Sequence, residues 1–308
     1  MRNEHEEVKL KVAEICDPTL RSKAIRHIVK KRADYPNLAY LICNTPGVIQ
    51  AVFEELTQVY PFIDPPTLTL DVSATVCNAL ALVQIVASHR MTSSLFLRYE
   101  YPYFVLPFLY SVERTPPSEH LRTASLGVIG SLLKDSQNHD AVKYLIETPI
   151  IPICLHIMER DATVIVLLAT YIMQKILADQ IGLAHCCFSN ERITNLIHVL
   201  NVVVCHLVSH PSARLLKPVV RCYSSLSENP RALEALKYTL PDAIKDDTFE
   251  DIIGDDASTE HAWCKLLNNI GIKKDYSPQS EEQREEELLA KEMAEAVYYE
   301  KNGQCSAM

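Results

Sequence analysis

The stretch Val76–His89, VCNALALVQIVASH, constrains the fold more than any other part of this chain. Ten of its fourteen residues are apolar, and it contains no glycine, no proline and no alternation of polar and apolar residues. A helix that is apolar on every side must be buried among other elements. Because the stretch is shorter than the ~20 apolar residues that span a bilayer, it predicts a buried core helix without membrane contact.

Similar apolar segments recur downstream and indicate an internal repeat. They begin at Ser125, Ala169 and Val219, so that successive starts, counted from Val76, lie 44 to 50 residues apart. This spacing fits helical repeats of the armadillo and HEAT class, which are ~40–47 residues long. The sequence therefore predicts an all-α solenoid built from repeats of the armadillo or HEAT type.

The charge distribution predicts three segments: a charged lead-in at 1–18, an armadillo-repeat domain at 19–272, and an acidic, partly helical or disordered tail at 273–308. The chain has a net charge of −9, and residues 276–308 alone carry eight acids and three bases. The repeat domain is therefore close to neutral. Any contact with nucleic acid then requires a local basic patch rather than bulk charge.

Cysteine usage and the N-terminus predict a cytoplasmic and nuclear location. The ten cysteines form no CxxC pair, and most lie in predicted apolar helices, where a free thiol behaves as a small hydrophobe. The first residues are charged and lack the apolar core of a secretory signal. Cys305-Ser306-Ala307-Met308 has the outline of a prenylation box, but the acidic segment before it would be repelled by an anionic membrane.

Signals for catalysis or metal binding are few. The sequence contains no HExxH, GxSxG, GxGxxG or P-loop motif. His206 and His210 are spaced i, i+4 and share a helix face, but spacing supplies no third ligand. We therefore predict a protein without catalytic residues, metal or cofactor.

Three cations form the clearest polar pattern. Arg214, Lys217 and Arg221 are spaced i, i+3, i+7 and would form one stripe on a helix, here called the basic stripe. A stripe on the inner surface of a solenoid can meet phosphates or an acidic peptide, or it can be a solvated helix face. Pro218 interrupts the same helix and predicts a kink or a restart there.

Several long blocks resemble one family, the Rcd ("required for cell differentiation") family of armadillo-repeat subunits of the CCR–NOT deadenylase complex. The resemblance covers roughly residues 20–270. It is carried by DPPTL at 64–68, the Val76–His89 stretch, LRTASLGVIGSLLK from Leu121, IIPICLHIME from Ile150, ATYIMQKILADQIGL from Ala169 and PSARLLKPVVRCYSSLSENPRALEAL from Pro211.

The resemblance implies an armadillo-type solenoid of about six repeats that acts as a non-catalytic adaptor in mRNA deadenylation and translational repression. Family members dock on the NOT scaffold subunit, accept tryptophan side chains of repressor peptides, bind single-stranded nucleic acid and self-associate. Arg192, Arg231 and Ala235 match residues of the family's tryptophan pocket. The alternative is an armadillo peptide receptor that acts outside the complex in signalling or transport, and a third reading is a lipidated regulator.

Two departures from the family pattern predict a diverged paralogue. Asn190 stands where the family has a tyrosine, so the aromatic wall of the tryptophan pocket should be missing. Asn44, Thr45 and Pro46 stand where the family has His-Ser-Phe on its scaffold-docking surface, which predicts weaker docking.

Overall fold

The computed structural model describes residues 2–64, 67–111, 114–161 and 163–274, and these residues form helices and no strand. Eighteen α-helices occur in this order: α1 Arg2–Ala13, α2 Arg21–Lys30, α3 Leu38–Asn44, α4 Val48–Thr57, α5 Leu70–Ser88, α6 Arg90–Arg98, α7 Leu106–Tyr110, α8 Pro116–Leu132, α9 His139–Ile146, α10 Ile150–Arg160, α11 Thr163–Ala178, α12 Gln180–Cys186, α13 Asn190–Ser209, α14 Ala213–Leu226, α15 Pro230–Thr239, α16 Asp242–Lys245, α17 Glu250–Gly254 and α18 Ala257–Ile270.

Six of these helices pack side by side in one row, in the order α2, α5, α8, α11, α14 and α18. The shorter helices between them pack against this row, as in a solenoid whose repeats contact mainly their neighbours. The predicted all-α armadillo-type solenoid is therefore confirmed.

Helix α5 is the centre of the core, as its sequence predicts. It begins earlier than the apolar stretch, because the Thr69 hydroxyl accepts a hydrogen bond from the Val72 N–H at 3.3 Å and caps the helix. Val76, Leu80 and Val83 are at most 1% exposed. With 19 residues, α5 is longer than the sequence stretch suggested, so shortness is not an argument against a membrane span.

By length and composition alone, α5 and α13 could each cross a membrane. If each of the bent helix pairs α9–α10 and α11–α12 is counted as one membrane span, the described residues contain up to four candidate spans. In the fold, both helices bury apolar side chains against protein. Leu200 of α13 and Leu80 of α5, for example, have no exposed surface. The absence of membrane contact stays a prediction.

Both ends of the described chain contribute to the core. Val8, Val12 and Ile15, in the segment predicted as a charged lead-in, are buried in the same cluster as the first repeat. Near the other end, Trp263 is 2% exposed, and its indole N–H donates to the Ile244 carbonyl at 2.7 Å. The acidic tail beyond residue 274, with Cys305, lies outside the described residues.

The sequence prediction misses some short elements. It does not anticipate α3 and α12, each of 7 residues. The aromatic segment that follows α5 contains α6, a 3-10 helix at Tyr101–Val105 and α7. Pro102 and Pro107 each lie in the first turn of the helix that contains them, where a missing N–H is harmless.

Helix α14 runs without interruption from Ala213 to Leu226 with Pro218 inside it, so the predicted restart at Pro218 is wrong. An interior proline costs ~3 kcal/mol. Leu215, Val219 and Leu226 on the same helix are at most 3% exposed. Because burying each such side chain contributes ~1.5–3 kcal/mol, packing outweighs the local cost.

Candidate functional site

A pocket of about 230 Å³ opens between α10 and α13. Its wall is mainly apolar, with one cation, and consists of Ile146, Thr148, Ile151, Pro152, Leu155, His185, Cys186, Arg192, Asn195 and Leu196. Pockets for drug-sized ligands occupy ~300–1,000 Å³, so this pocket is suited to one large side chain. We call it the Arg192 pocket.

The local sequence fixes Arg192 at the mouth of this pocket. Ser189 caps α13, and its hydroxyl accepts a hydrogen bond from the Arg192 N–H at 3.3 Å. The guanidinium Nη1 donates to the His185 carbonyl at 3.0 Å. Partial burial, and then the charge of Arg192, lower the pKa of His185, which keeps the imidazole neutral at pH 7.

Phe188 joins the predicted pocket residues and was missed by the sequence analysis. Its ring is 74% exposed, and the Arg192 guanidinium lies 5.8 Å from the ring centroid. Arg231 approaches from α15, where its Nη1 donates to the Phe188 carbonyl at 3.3 Å. Arg192 and Arg231 are thus brought together around Phe188.

Only Arg192 of the three predicted residues lines the Arg192 pocket. Arg231 and the half-buried Ala235 lie one turn apart on α15, on the neighbouring surface beyond Phe188. Asn190 is exposed at the start of α13. Phe188 places an exposed ring beside Arg192, two residues before Asn190, and the expected loss of the family's tyrosine wall stays a prediction.

The structure places the basic stripe on α14 but pairs two of its cations. Asp256, the residue that precedes α18, accepts a hydrogen bond from Arg221 Nη2 at 2.9 Å and lies 3.9 Å from Lys217 Nζ. Burial opposes ionisation of Asp256, but the Thr259 hydroxyl and these two cations outweigh it and lower its pKa. Arg214 is exposed and has no carboxylate partner within the described ranges.

Asn44 ends α3, and Thr45 and Pro46 follow it in the turn that leads to α4. The Asn44 amide donates to the Tyr40 carbonyl at 2.8 Å, and the Thr45 hydroxyl donates to the Leu41 carbonyl at 2.7 Å. Both side chains are thus engaged with the end of α3, and Pro46 is exposed. This turn presents no aromatic side chain of its own.

The histidine pair suggested by spacing does exist, because the rings of His206 and His210 lie 4.9 Å apart. In the part of the chain that the structure describes, however, no group of three or more His, Cys, Asp or Glu residues could hold a metal ion.

Residues 11–270 match the family described as cell differentiation family, Rcd1-like. The chain is 41% identical to the cell differentiation protein rcd1 of Schizosaccharomyces pombe over 259 residues, which cover 84% of this chain and 91% of the relative. It is 40% identical to Protein CAF40 of Saccharomyces cerevisiae over 258 residues, or 82% of this chain and 69% of the relative.

Solved structures with a similar fold include engineered and designed proteins. An engineered protein matches with a TM-score of 0.59 at 15% identity, covering 86% of this chain and 98% of that one. A designed armadillo repeat protein in complex with the peptide (KR)4 matches with a TM-score of 0.54 at 15% identity, covering 86% and 100%. At such low identity, these similarities establish the fold alone.

Proposed function

This chain belongs to the Rcd1-like cell differentiation family, and from that premise we propose that it is a non-catalytic adaptor subunit of the CCR–NOT complex. In this role it links peptide and RNA partners to mRNA deadenylation and translational repression, in the cytoplasm and the nucleus. The family relationship supports a role of this kind, and the site supports the peptide contact.

The observation that carries the proposal is the Arg192 pocket beside the exposed Phe188. It is open to solvent, is lined mainly by apolar side chains, and has a guanidinium fixed at its mouth. An indole buries well against a ring or a guanidinium plane. We therefore propose tryptophan-bearing peptides as ligands, with the anchor in the Arg192 pocket and a second contact on the surface formed by Phe188, Arg231 and Ala235.

The turn at Asn44, Thr45 and Pro46 favours the second candidate, a peptide receptor that has left the complex. Its two polar side chains are bonded to the end of α3, and the turn has no ring with which to fill a partner's pocket. Aromatic residues are enriched at protein interfaces, so the replacement should weaken scaffold docking. Peptide binding at α10 and α13 would be retained in either case.

We further propose that the basic stripe contributes a modest affinity for single-stranded nucleic acid. Arg214 is its one cation without a carboxylate partner within the described ranges, and each phosphate contact on a single strand releases ~0.7 counterions. Since Asp256 neutralises part of the stripe, we expect binding that fails at moderate salt.

Affinity purification from cells tests the adaptor against the receptor. Tagged wild-type chain should recover deadenylase subunits and the NOT scaffold. A variant with the family sequence restored at the turn, Asn44→His with Thr45→Ser and Pro46→Phe, should recover more scaffold. Arg192→Ala is the matched control, because it should lose peptide partners and keep the scaffold.

Two results discriminate sharply between the candidates. If the wild-type chain recovers no deadenylase subunit but the restored variant does, the chain acts outside the complex. If neither recovers one, the turn is not the docking surface and the adaptor proposal fails.

A further inference from the structure

A second and larger cavity, of about 440 Å³, lies where α7, α8 and α10 meet. Three arginines contribute to its polar lining, which consists of Tyr110, Ser111, Arg114, Arg122, His156, Arg160 and Asp161. Leu109 and Ile153 supply an apolar base. We call it the arginine cavity.

Among the described residues, the one carboxylate in this lining, that of Asp161, is already paired. The side chains of Arg122 and Asp161 are buried, being 3% and 2% exposed. They form a bidentate ion pair, in which Arg122 Nη1 donates to Asp161 Oδ1 at 2.7 Å and Arg122 Nη2 donates to Asp161 Oδ2. The pair fixes the end of α10 against α8 and is electrically neutral. Because Arg122 already neutralises Asp161, this carboxylate does little to neutralise the other cations of the cavity.

Two arginines remain as excess positive charge on the cavity wall. Arg114 Nε lies 3.8 Å from Asp161, beyond hydrogen-bond distance, and its side chain is 53% exposed. Arg160 is 61% exposed, and within the described ranges its one carboxylate partner is its sequence neighbour Glu159 at 3.6 Å, a surface pair of small energetic value. Both guanidinium groups can therefore bind an incoming carboxylate, which they recognise through two parallel hydrogen bonds.

The arginine cavity adjoins the Arg192 pocket on α10. Pro152 lines both, and the two share α10 as a wall: Ile151 and Leu155 contribute to one, His156 and Arg160 to the other. A peptide that crosses α10 in an extended form advances ~3.3–3.6 Å per residue. A side chain a few residues from the anchor therefore reaches the arginine cavity.

We propose that the arginine cavity is a subsite of the peptide-binding surface that binds an acidic side chain of the peptide. It takes an aspartate or glutamate side chain a few residues from the aromatic anchor, held by Arg114 and Arg160. The preferred partner is then a peptide with an aromatic residue and a nearby acid, and the acid is what distinguishes it from other tryptophan-bearing peptides. This inference rests on the proposed peptide role of the Arg192 pocket.

The experiment compares a set of peptides with one tryptophan and one glutamate, two to four residues apart on either side, with the same peptides carrying glutamine. Fluorescence anisotropy of labelled peptides on the wild-type chain should show that at least one glutamate peptide binds about tenfold more tightly than its glutamine counterpart, which corresponds to about 1.4 kcal/mol. Arg114→Gln with Arg160→Gln should bring that ratio close to one and leave the glutamine peptides unaffected. Arg122 is left intact, since loss of its buried pair would disturb the fold.

Two further variants separate the possible explanations. Arg26→Gln with Lys30→Gln removes the same charge from the distant helix α2, where both residues are exposed, and should keep the preference. Arg192→Ala should weaken both peptide types equally. If the wild-type chain binds every glutamate and glutamine pair alike, the subsite is refuted while the peptide role survives.

A readout that does not depend on the anchor covers the case in which no peptide binds. Succinate is titrated while the Nε–Hε NMR signals of Arg114 and Arg160 are followed. Shifts that saturate in the wild-type chain and survive in Arg192→Ala support an anion site in the arginine cavity. Unchanged signals at tens of millimolar succinate overturn it.

Discussion

Replacing Phe188 by alanine tests whether its ring stands in for the missing tyrosine wall. The ring is 74% exposed, and Arg231 bonds to the Phe188 backbone carbonyl, which alanine retains. The substitution should therefore change the free energy of unfolding by less than ~0.5 kcal/mol. The effect is expected in the complex, where an indole would stack on the ring.

The expected loss follows from two contacts. Stacking of the indole on the Phe188 ring contributes ~0.5–1.5 kcal/mol beyond buried area. The exposed guanidinium of Arg192 lies 5.8 Å from the Phe188 centroid, and its cation–π contact with the indole adds ~0.5–1 kcal/mol when the Phe188 ring holds the guanidinium over the ligand. A loss of about 1–2 kcal/mol raises the Kd about five- to thirtyfold.

Calorimetry with a peptide that carries one tryptophan measures this change. Phe188→Tyr should keep the wild-type Kd, because the ring remains. Tyr40→Ala serves as the control, since Tyr40 is also an exposed ring, 57% exposed, but lies on α3, away from both cavities. A Phe188→Ala variant that binds within twofold of the wild type would show that the ring does not contact the ligand.

The further predictions concern the pocket wall, the basic stripe and the core. Asn190→Tyr should tighten tryptophan-peptide binding severalfold in the same calorimetry, and an unchanged Kd would place the indole elsewhere. Replacing Arg214, Lys217 and Arg221 by alanine should weaken the binding of single-stranded nucleic acid and flatten its dependence on salt. Asp256→Asn should strengthen that binding, because it frees Lys217 and Arg221. Fluorescence anisotropy across a salt series measures both effects. The pKa of Asp256 in the folded state is lowered below the unfolded-state pKa of ~3.9, so its carboxylate stabilises the fold at pH values above ~3.9. The difference in the free energy of unfolding between wild type and Asp256→Asn should therefore disappear as the pH falls through the folded-state pKa. Leu80→Ala should cost ~2–5 kcal/mol in urea unfolding, since Leu80 is fully buried in α5, and a loss below ~1 kcal/mol would contradict its place in the core.

Helices with strong end signals could be predicted from the sequence, and short or packed ones could not. Helix α13 is bounded by signals that the sequence shows, because Ser189 caps it and Pro211 soon follows it. Helix α12 has 7 residues and no long apolar period. The unbroken α14 was missed because local rules for Pro218 take no account of the burial of its neighbours.

The site could be predicted only where its residues lie close in sequence or match the family. Arg192 was found by its motif, but Phe188 was not, since an isolated aromatic residue before a capping serine carries no periodic signal. The Arg122–Asp161 pair spans 39 residues and joins two helices. No spacing rule connects such residues, so the arginine cavity could not be predicted from the sequence.

The buried indole of Trp263 determines what intrinsic fluorescence can report. It is the single tryptophan of the chain, it is enclosed in α18, and the Lys274 ammonium lies 4.0 Å from its ring centroid. Its emission therefore follows the last repeat only, whereas circular dichroism averages over all helices. Because each repeat is stabilised mainly by its neighbours, denaturation curves from the two signals need not coincide, and any separation between them measures how independently this end of the solenoid melts.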